Sequence, residues 1–164
     1  FGSPIAILSG FIFGKWLGTL ITVLSFTIGS TFLYLMAQIY FSQFIIDKFS
    51  SRIGKFRDLF NKNEFIYFML FRFAGGGGVP FAIQNVLPVI FNMKIKNYFY
   101  STLIGLIPTV FVINFIGDGI QNFINQNENI STFALLSNSE ILFPMSIFFG
   151  LLIISFLIKK KFFN

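Results

Sequence analysis

One stretch decides what this chain can fold into: Phe65 to Met93, FIYFMLFRFAGGGGVPFAIQNVLPVIFNM. It is almost wholly apolar, yet it holds Arg72, the glycine run Gly75–Gly78, and Pro80 and Pro88. Lys62 precedes it, and Lys94 and Lys96 follow it. Short basic flanks stay on the cytoplasmic side of a membrane. A crossing helix changes sides, so a segment basic at both ends goes in and comes back out. Its length agrees. A bilayer core of about 30 Å needs roughly 20 helical residues, and Phe65 to Ala74 supplies about half of that. Pro80 stands where a returning helix would begin, and Pro88 interrupts it. Residues 65–93 are therefore expected to form a re-entrant hairpin with its glycine tip near the bilayer midplane. Irregular backbone is stable at that depth only against protein or a water-filled cavity, so the hairpin implies a cavity.

The rest of the composition fits a membrane protein. The chain is 55% apolar, 20% aromatic and 11% charged, whereas soluble domains average about 25% charged. It contains no cysteine and no histidine, which removes disulfides, thiol chemistry, His- or Cys-built metal sites and histidine acid–base work. No paired acids sit at membrane depth either, so no enzyme, metal or cofactor is expected. The net charge of +6 sits in short loops beside apolar runs. That placement controls topology and predicts no nucleic-acid partner. The chain opens at Phe1 without a methionine, and we expect it to be a piece of a longer protein; no cleavable signal is visible.

Taken in order, residues 1–14 are uncharged but too short to span, and read as one arm of a first hairpin. Ser3 followed by Pro4 is a helix-start signal. Gly10, Gly14 and Gly18 recur every fourth residue, which predicts one close-packed helix face. That face serves either simple packing or helix association. Residues 16–46 are uncharged and predict one long span, with Trp16 and Tyr40 at the interfaces. Residues 47–64 mix Lys48, Arg52, Lys55, Arg57 and Lys62 with apolar residues at helical spacing. They predict a cytoplasmic amphipathic segment on the membrane surface. Residues 97–117 are a second span, kinked at Pro108. Residues 118–140 carry Asp118, Glu128 and Glu140 without a cation and read as an outside loop. Residues 141–164 form a C-terminal span and basic tail, with Lys159, Lys160 and Lys161 cytoplasmic.

The basic and acidic loops alternate only if 65–93 returns to its own side. Pro4 and Gly29 also stand in the same relation as Pro80 and Gly105. Together these predict an all-α integral membrane protein: an inverted repeat of re-entrant helical hairpin plus transmembrane helix, with an extra C-terminal transmembrane helix. The first hairpin would open to the outer side and the second to the inner side.

The run PIAILSGFIFGKWLGTLITVLSFTIGSTFLYLMAQ resembles the first half of the DedA family, also called the VTT or SNARE-associated Golgi-protein family. The run FRFAGGGGVPFAIQNVLPVIFNMKIKNYFYSTLIGLIPTVFVINFIGDGI resembles its second half. The resemblance covers residues 1–120. It implies two facing membrane-embedded hairpins and movement of phospholipids or polyprenyl-phosphate carriers between leaflets, in a multi-pass protein of a bacterial cytoplasmic membrane. Two family features are missing. Residues 1–46 lack the acidic residues tied to proton coupling in many bacterial members, and Gly75–Pro80 stands where many carry a second arginine. Proton coupling is not carried over.

At the hairpin tip, Arg72 is a costly charge, roughly 2.5–3.5 kcal/mol at mid-bilayer. Backbone amides of Gly75, Gly76, Gly77 and Gly78 and a half-helix starting at Pro80 would join it in a phosphate cradle. Gln84 and Asn85 would contact headgroup oxygens or cap the opposing hairpin. The plainer alternative is a tight glycine turn whose carbonyls Arg72 satisfies. The expected partners are membrane lipids with anionic headgroups. Alternatives are an ion- or proton-coupled carrier of a small anion, which needs a carboxylate inside a span, and a non-transporting membrane assembly or homeostasis protein held by Gly10, Gly14 and Gly18.

Overall fold

A computed structural model describes residues 2–43, 54–126, 139, 141–150 and 153, with backbone only at 54–62, 77, 78 and 126. Residues 47–53 of the expected surface segment 47–64, most of the 118–140 loop, and residues 151, 152 and 154–164 of the expected C-terminal span and basic tail lie outside the described residues. The described residues are helical: α1 Gly2–Tyr40, α2 Gly54–Phe73, α3 Phe81–Val86 and α4 Ile95–Gln126. A further apolar helix, α5, covers Ile141–Gly150. Single 3-10 turns occupy Gly75–Gly78 and Leu87–Phe91.

Two of these helices, α1 and α4, are long and apolar enough to cross a membrane. Their polarity supports that setting. Ile5, Leu20, Ile28, Phe32 and Ile39 of α1 face outward, each more than half exposed. Inside are Thr19, Thr22, Thr27 and Ser30 of α1, and Ser101, Thr102 and Asn114 of α4 are buried as well. Small and hydroxyl side chains inside with large apolar ones outside is the pattern of helices packed in lipid, where burial of Leu or Ile against protein brings no advantage over lipid tails.

Helix α1 is not straight. Gly14 has φ 74° and ψ 171°, a region open almost only to glycine, and there the chain doubles back. The Ser9 hydroxyl donates to the Gly18 carbonyl at 3.2 Å across the bend, and Gly2 lies against the Phe26 ring. The first arm, 2–13, thus runs antiparallel to the second, 15–40. This corrects one expectation: Gly10, Gly14 and Gly18 do not share a helix face, because Gly14 is the bend between two arms. Gly10 and Gly18 still meet, from opposite arms, at Asn114 of α4. A Cβ on Gly10 would fall onto the Asn114 backbone, and one on Gly18 would come within 2.5 Å of its Oδ1.

The second fold-back is built differently. Helix α2 is interrupted at Asn63 (φ −162°, ψ 89°), whose Oδ1 accepts from the Ile66 amide at 3.1 Å and so restarts the helix as an N-cap. The arm from Glu64 ends at Phe73, and the glycine turn and Pro80 lead into α3 and the 3-10 turn through Pro88. Asn92, left-handed at φ 49°, then starts the reversal into α4. Glu64 closes the base: its Oε1 accepts from the Lys94 amide at 3.2 Å and from Asn97 Nδ2 at 2.6 Å. Residues 64 and 94 therefore lie together, with the glycine turn at the far end. The uncharged run through Gly29 is helical without a break, as expected, and Pro108 lies inside α4. The spacing echo is not an echo of surroundings. Gly29 has no neighbour near its missing Cβ, whereas Gly105 sits on Arg72 Cβ and the Met69 carbonyl.

The core fills the angle between these pieces. Tyr34, Ala37, Phe68, Val89, Met93 and Tyr98 form one cluster at the base of the second fold-back. The Tyr34 and Tyr98 rings stack with centroids 4.4 Å apart, and the Tyr34 hydroxyl donates to the Met93 carbonyl at 2.5 Å. A second cluster of Val23, Leu106 and Val110 holds α1 to α4 beside Phe26 and Phe81.

Candidate functional site

A cavity of about 260 Å³ lies where the two fold-backs approach each other. Gly2, Ser3, Ala6 and Phe26 of α1 line one side; Arg72, Gly75, Val79, Phe81 and Gln84 of the second fold-back line another. Leu106, Thr109, Val110 and Ile113 of α4 complete it. The turn of the second fold-back and the starting end of α1 are thus brought to one place.

Arg72 is the charged residue in that wall, and it is 1% exposed. Its Nη1 donates to Gln84 Oε1 at 3.3 Å, and its Nη2 donates to Asn85 Oδ1 and to the Tyr98 hydroxyl at 3.1 Å. The guanidinium also lies 4.9 Å from the Phe68 ring centre and 5.1 Å from that of Phe81, within cation–π range. Every one of these partners is neutral. A guanidinium carries five N–H donors and cannot give up its proton in a protein. Nε has no hydrogen-bond partner, and among the described residues no carboxylate reaches the group. The charge is therefore solvated by amide oxygens, a phenol and aromatic faces, but not neutralised.

The sequence-predicted residues fall into place as follows. Gln84 and Asn85 are both buried and act as acceptors for Arg72. Neither caps the other fold-back. Gln84 Nε2 also donates to the Val79 carbonyl at 2.6 Å, so its amide is oriented from both ends and Oε1 is left facing Arg72. Gly75 and Gly76 have φ 68° and 73°, which glycine alone takes freely. A Cβ on Gly76 would meet the Gln84 amide, while Gly75 faces open space. The expectation that Arg72 satisfies the turn's carbonyls is not met, because its partners are side chains. Pro80 precedes a helix of only 6 residues, so the half-helix dipole is short. Gly77 and Gly78 have a described backbone but no described surroundings. Pro4 belongs to the first arm and does not line the cavity.

Sequence reasoning passed over three residues. Tyr98 anchors Arg72 and itself donates to the Ser30 carbonyl at 3.2 Å. A tyrosine inside an uncharged run was the available signal. Asn114 is fully buried with its Oδ1 unpartnered, and a lone amide in VFVINFIG signalled it. Lys15 pairs with Asp118 at 3.3 Å, beside the Gly14 bend. Asp118 was expected in the outside loop, but α4 continues to Gln126, which puts this carboxylate inside the helix.

Among the described residues no group of His, Cys, Asp or Glu is placed to hold a metal ion. The residues that approach each other suit an anionic oxygen ligand, held by a fixed charge in apolar surroundings.

Comparison with known proteins identifies a family. The VTT domain family model matches residues 2–119. A transmembrane protein 41 homolog of Caenorhabditis elegans is 23% identical over 142 residues, which is 84% of this chain and 57% of that protein. The uncharacterized Bacillus subtilis protein YqeD is 29% identical over 115 residues, 69% of this chain and 54% of that protein. The chain thus spans little more than half the length of these relatives. No solved structure matches it. A buried arginine in a glycine-tipped fold-back, two long apolar helices and a family match across most of the length lead to one assignment: this chain belongs to the VTT-domain, or DedA, family of membrane proteins.

Proposed function

We propose that the chain is the core of a lipid transporter or scramblase that moves a phosphate-bearing lipid, phospholipid or polyprenyl phosphate, between leaflets. The observation that carries this reading is Arg72: buried against neutral partners, with its Nε unpaired, in the wall of a cavity. An uncompensated charge in apolar surroundings is costly, and a phosphate oxygen would neutralise it. In this reading residues 65–93 are a re-entrant hairpin. The first arm is its inverted counterpart from the other leaflet, and the protein is a multi-pass carrier of a bacterial cytoplasmic membrane rather than an enzyme. Closure of residues 64 and 94 on one another by Glu64 supports the return to one side.

The test is leaflet exchange of acyl-labelled phospholipid in vesicles holding the purified chain. Arg72→Ala should bring exchange down to the rate of protein-free vesicles while helix content is kept. An unchanged rate in a folded Arg72→Ala protein would reject the assignment.

One observation favours the carrier alternative. Asp118 lies inside α4 and pairs with Lys15, which gives that reading a carboxylate within a helix. Exchange driven by a proton gradient and lost in Asp118→Asn would select it.

A further inference from the structure

We propose that a groove between the second arm of α1 and α3 holds a hydrocarbon tail of the lipid whose phosphate meets Arg72. Head and tail would then be gripped on opposite faces of one short helix. This deepens the transport reading above and rests on it.

Helix α3 is where the two surfaces meet. Phe81 and Gln84 line the Arg72 cavity. Ala82, Ile83 and Val86 instead line a separate groove of about 350 Å³, together with Leu33, Met36 and Ala37 of α1. Helical spacing makes that division, since 81, 84 and 85 share one face and 82, 83 and 86 the other. Every residue lining the groove is apolar, so nothing in it can hold a headgroup. Ala37 is buried at its floor, while Leu33, Met36 and Ile83 are exposed at its rims.

Groove and cavity adjoin along one seam. Phe26 and Phe81 both line the cavity, with ring centres 5.5 Å apart, and Phe81 also lies 5.1 Å from the Arg72 guanidinium. Along α1, Phe26, Gly29, Leu33 and Ala37 follow at helical spacing and lead from cavity to groove. Gly29 leaves a notch in that stripe, because a Cβ there would meet nothing within 4 Å. A membrane lipid joins a phosphate to a tail over a short distance. With the phosphate at Arg72, its tail needs apolar surroundings close by, and the groove supplies them. A helix from a second copy is a poorer occupant. Helices in lipid associate by close backbone approach along a long seam, and α3 has only 6 residues.

The test uses the purified chain in phosphatidylcholine vesicles with trace phosphatidylcholine carrying a photoreactive diazirine in its acyl chain. Irradiation should place adducts predominantly on Leu33, Met36, Ile83 and Val86. Ile5, Leu20 and Phe32, which face outward and meet bulk lipid, should carry few. Adducts spread evenly over both sets would overturn the tail site. Leaflet exchange of acyl-labelled phosphatidylcholine is the second readout. Gly29→Leu fills the notch without a clash, and leucine favours a helix over glycine, so its melting midpoint should not fall. Its exchange rate should drop about fivefold or more, as for an overpacked site. Gly150→Leu is the control: Gly150 also meets nothing within 4 Å, and it lies on α5, outside the groove. Its exchange should match the parent's. Parent-like exchange in Gly29→Leu, with exchange still lost in Arg72→Ala, would overturn the tail site and leave lipid transport standing. Adducts confined to the groove in a parent protein that exchanges no lipid would overturn the transport reading instead. An Ile83→Cys protein that forms disulfide-linked dimers in the vesicles would overturn the tail site by showing a second copy in the groove.

Discussion

Arg72 is the residue on which the proposed transport turns. Its three neutral acceptors hold the guanidinium in place without cancelling its charge. Replacing Asn85 by Asp tests that distinction, because it turns one acceptor into an internal counterion at nearly constant size. Asn85→Asp is predicted to fold at least as stably as the parent and to lose lipid exchange by about tenfold or more, since the charge is then already met; thermal melting and vesicle exchange on the same preparation decide it. Asn85→Ala is predicted to act the other way. It leaves a donor unpaired, and a hydrogen bond to a charged group is worth about 1.5–3 kcal/mol. A lowered unfolding midpoint is the readout. The lone arginine in an apolar run was legible from sequence as the centre of the site. Its partners were less so. Tyr98 comes from another helix, and which amide oxygens face the guanidinium depends on how Gln84 is tethered at Val79.

At the scale of elements, two bends shape the chain. Gly14 sits at φ 74°, ψ 171°, and a side chain there costs on the order of 1–3 kcal/mol. Gly14→Val should therefore loosen the first arm from the second, seen as faster backbone hydrogen exchange in residues 2–13 with residues 95–126 less affected. Faster exchange spread evenly over both long helices would show that the bend is not an independent element. The contact at Gly105 is of another kind. Its backbone is regular, but a Cβ would come within 2.6 Å of Arg72 Cβ and 2.8 Å of the Met69 carbonyl. Gly105→Leu is predicted to push the Arg72 arm off α4 and reduce exchange as strongly as loss of the arginine itself. Periodicity marked Gly14, with Gly10 and Gly18, as a close-packing position, and Gly105 was noted only for its spacing from Pro80. Periodicity had no means to show that Gly14 is a hinge, because i, i+4 spacing assumes the helix whose continuity is in question.

For the whole molecule the decisive matter is which ends face which side of the membrane. The chain contains no cysteine, so single cysteines can be introduced without background. Cysteines at Lys62 and at Lys94 should react with a membrane-impermeant maleimide from the same side, and one at Glu128 from the opposite side. Lys62 and Lys94 labelled from opposite sides would mean that residues 65–93 cross the bilayer, and the cavity would no longer sit at the end of a returning hairpin.

The amino-acid sequence by itself determined the class of molecule. Long uncharged runs, an inadequate supply of charge for a soluble surface and an apolar segment too short for two crossings follow from bilayer thickness and the cost of unpaired backbone in lipid, which are local properties of a chain. Tertiary structure alone decided what fills the interior. It brought Ser3, Gly75 and Thr109 to one cavity, set Tyr98 against Arg72 and drew Asp118 into α4 beside Lys15. The reason is physical. Lipid tails and apolar side chains are alike as surroundings, so helices in a membrane choose partners by close backbone approach and by a few polar contacts between distant residues, and such contacts are invisible until the helices have been laid side by side.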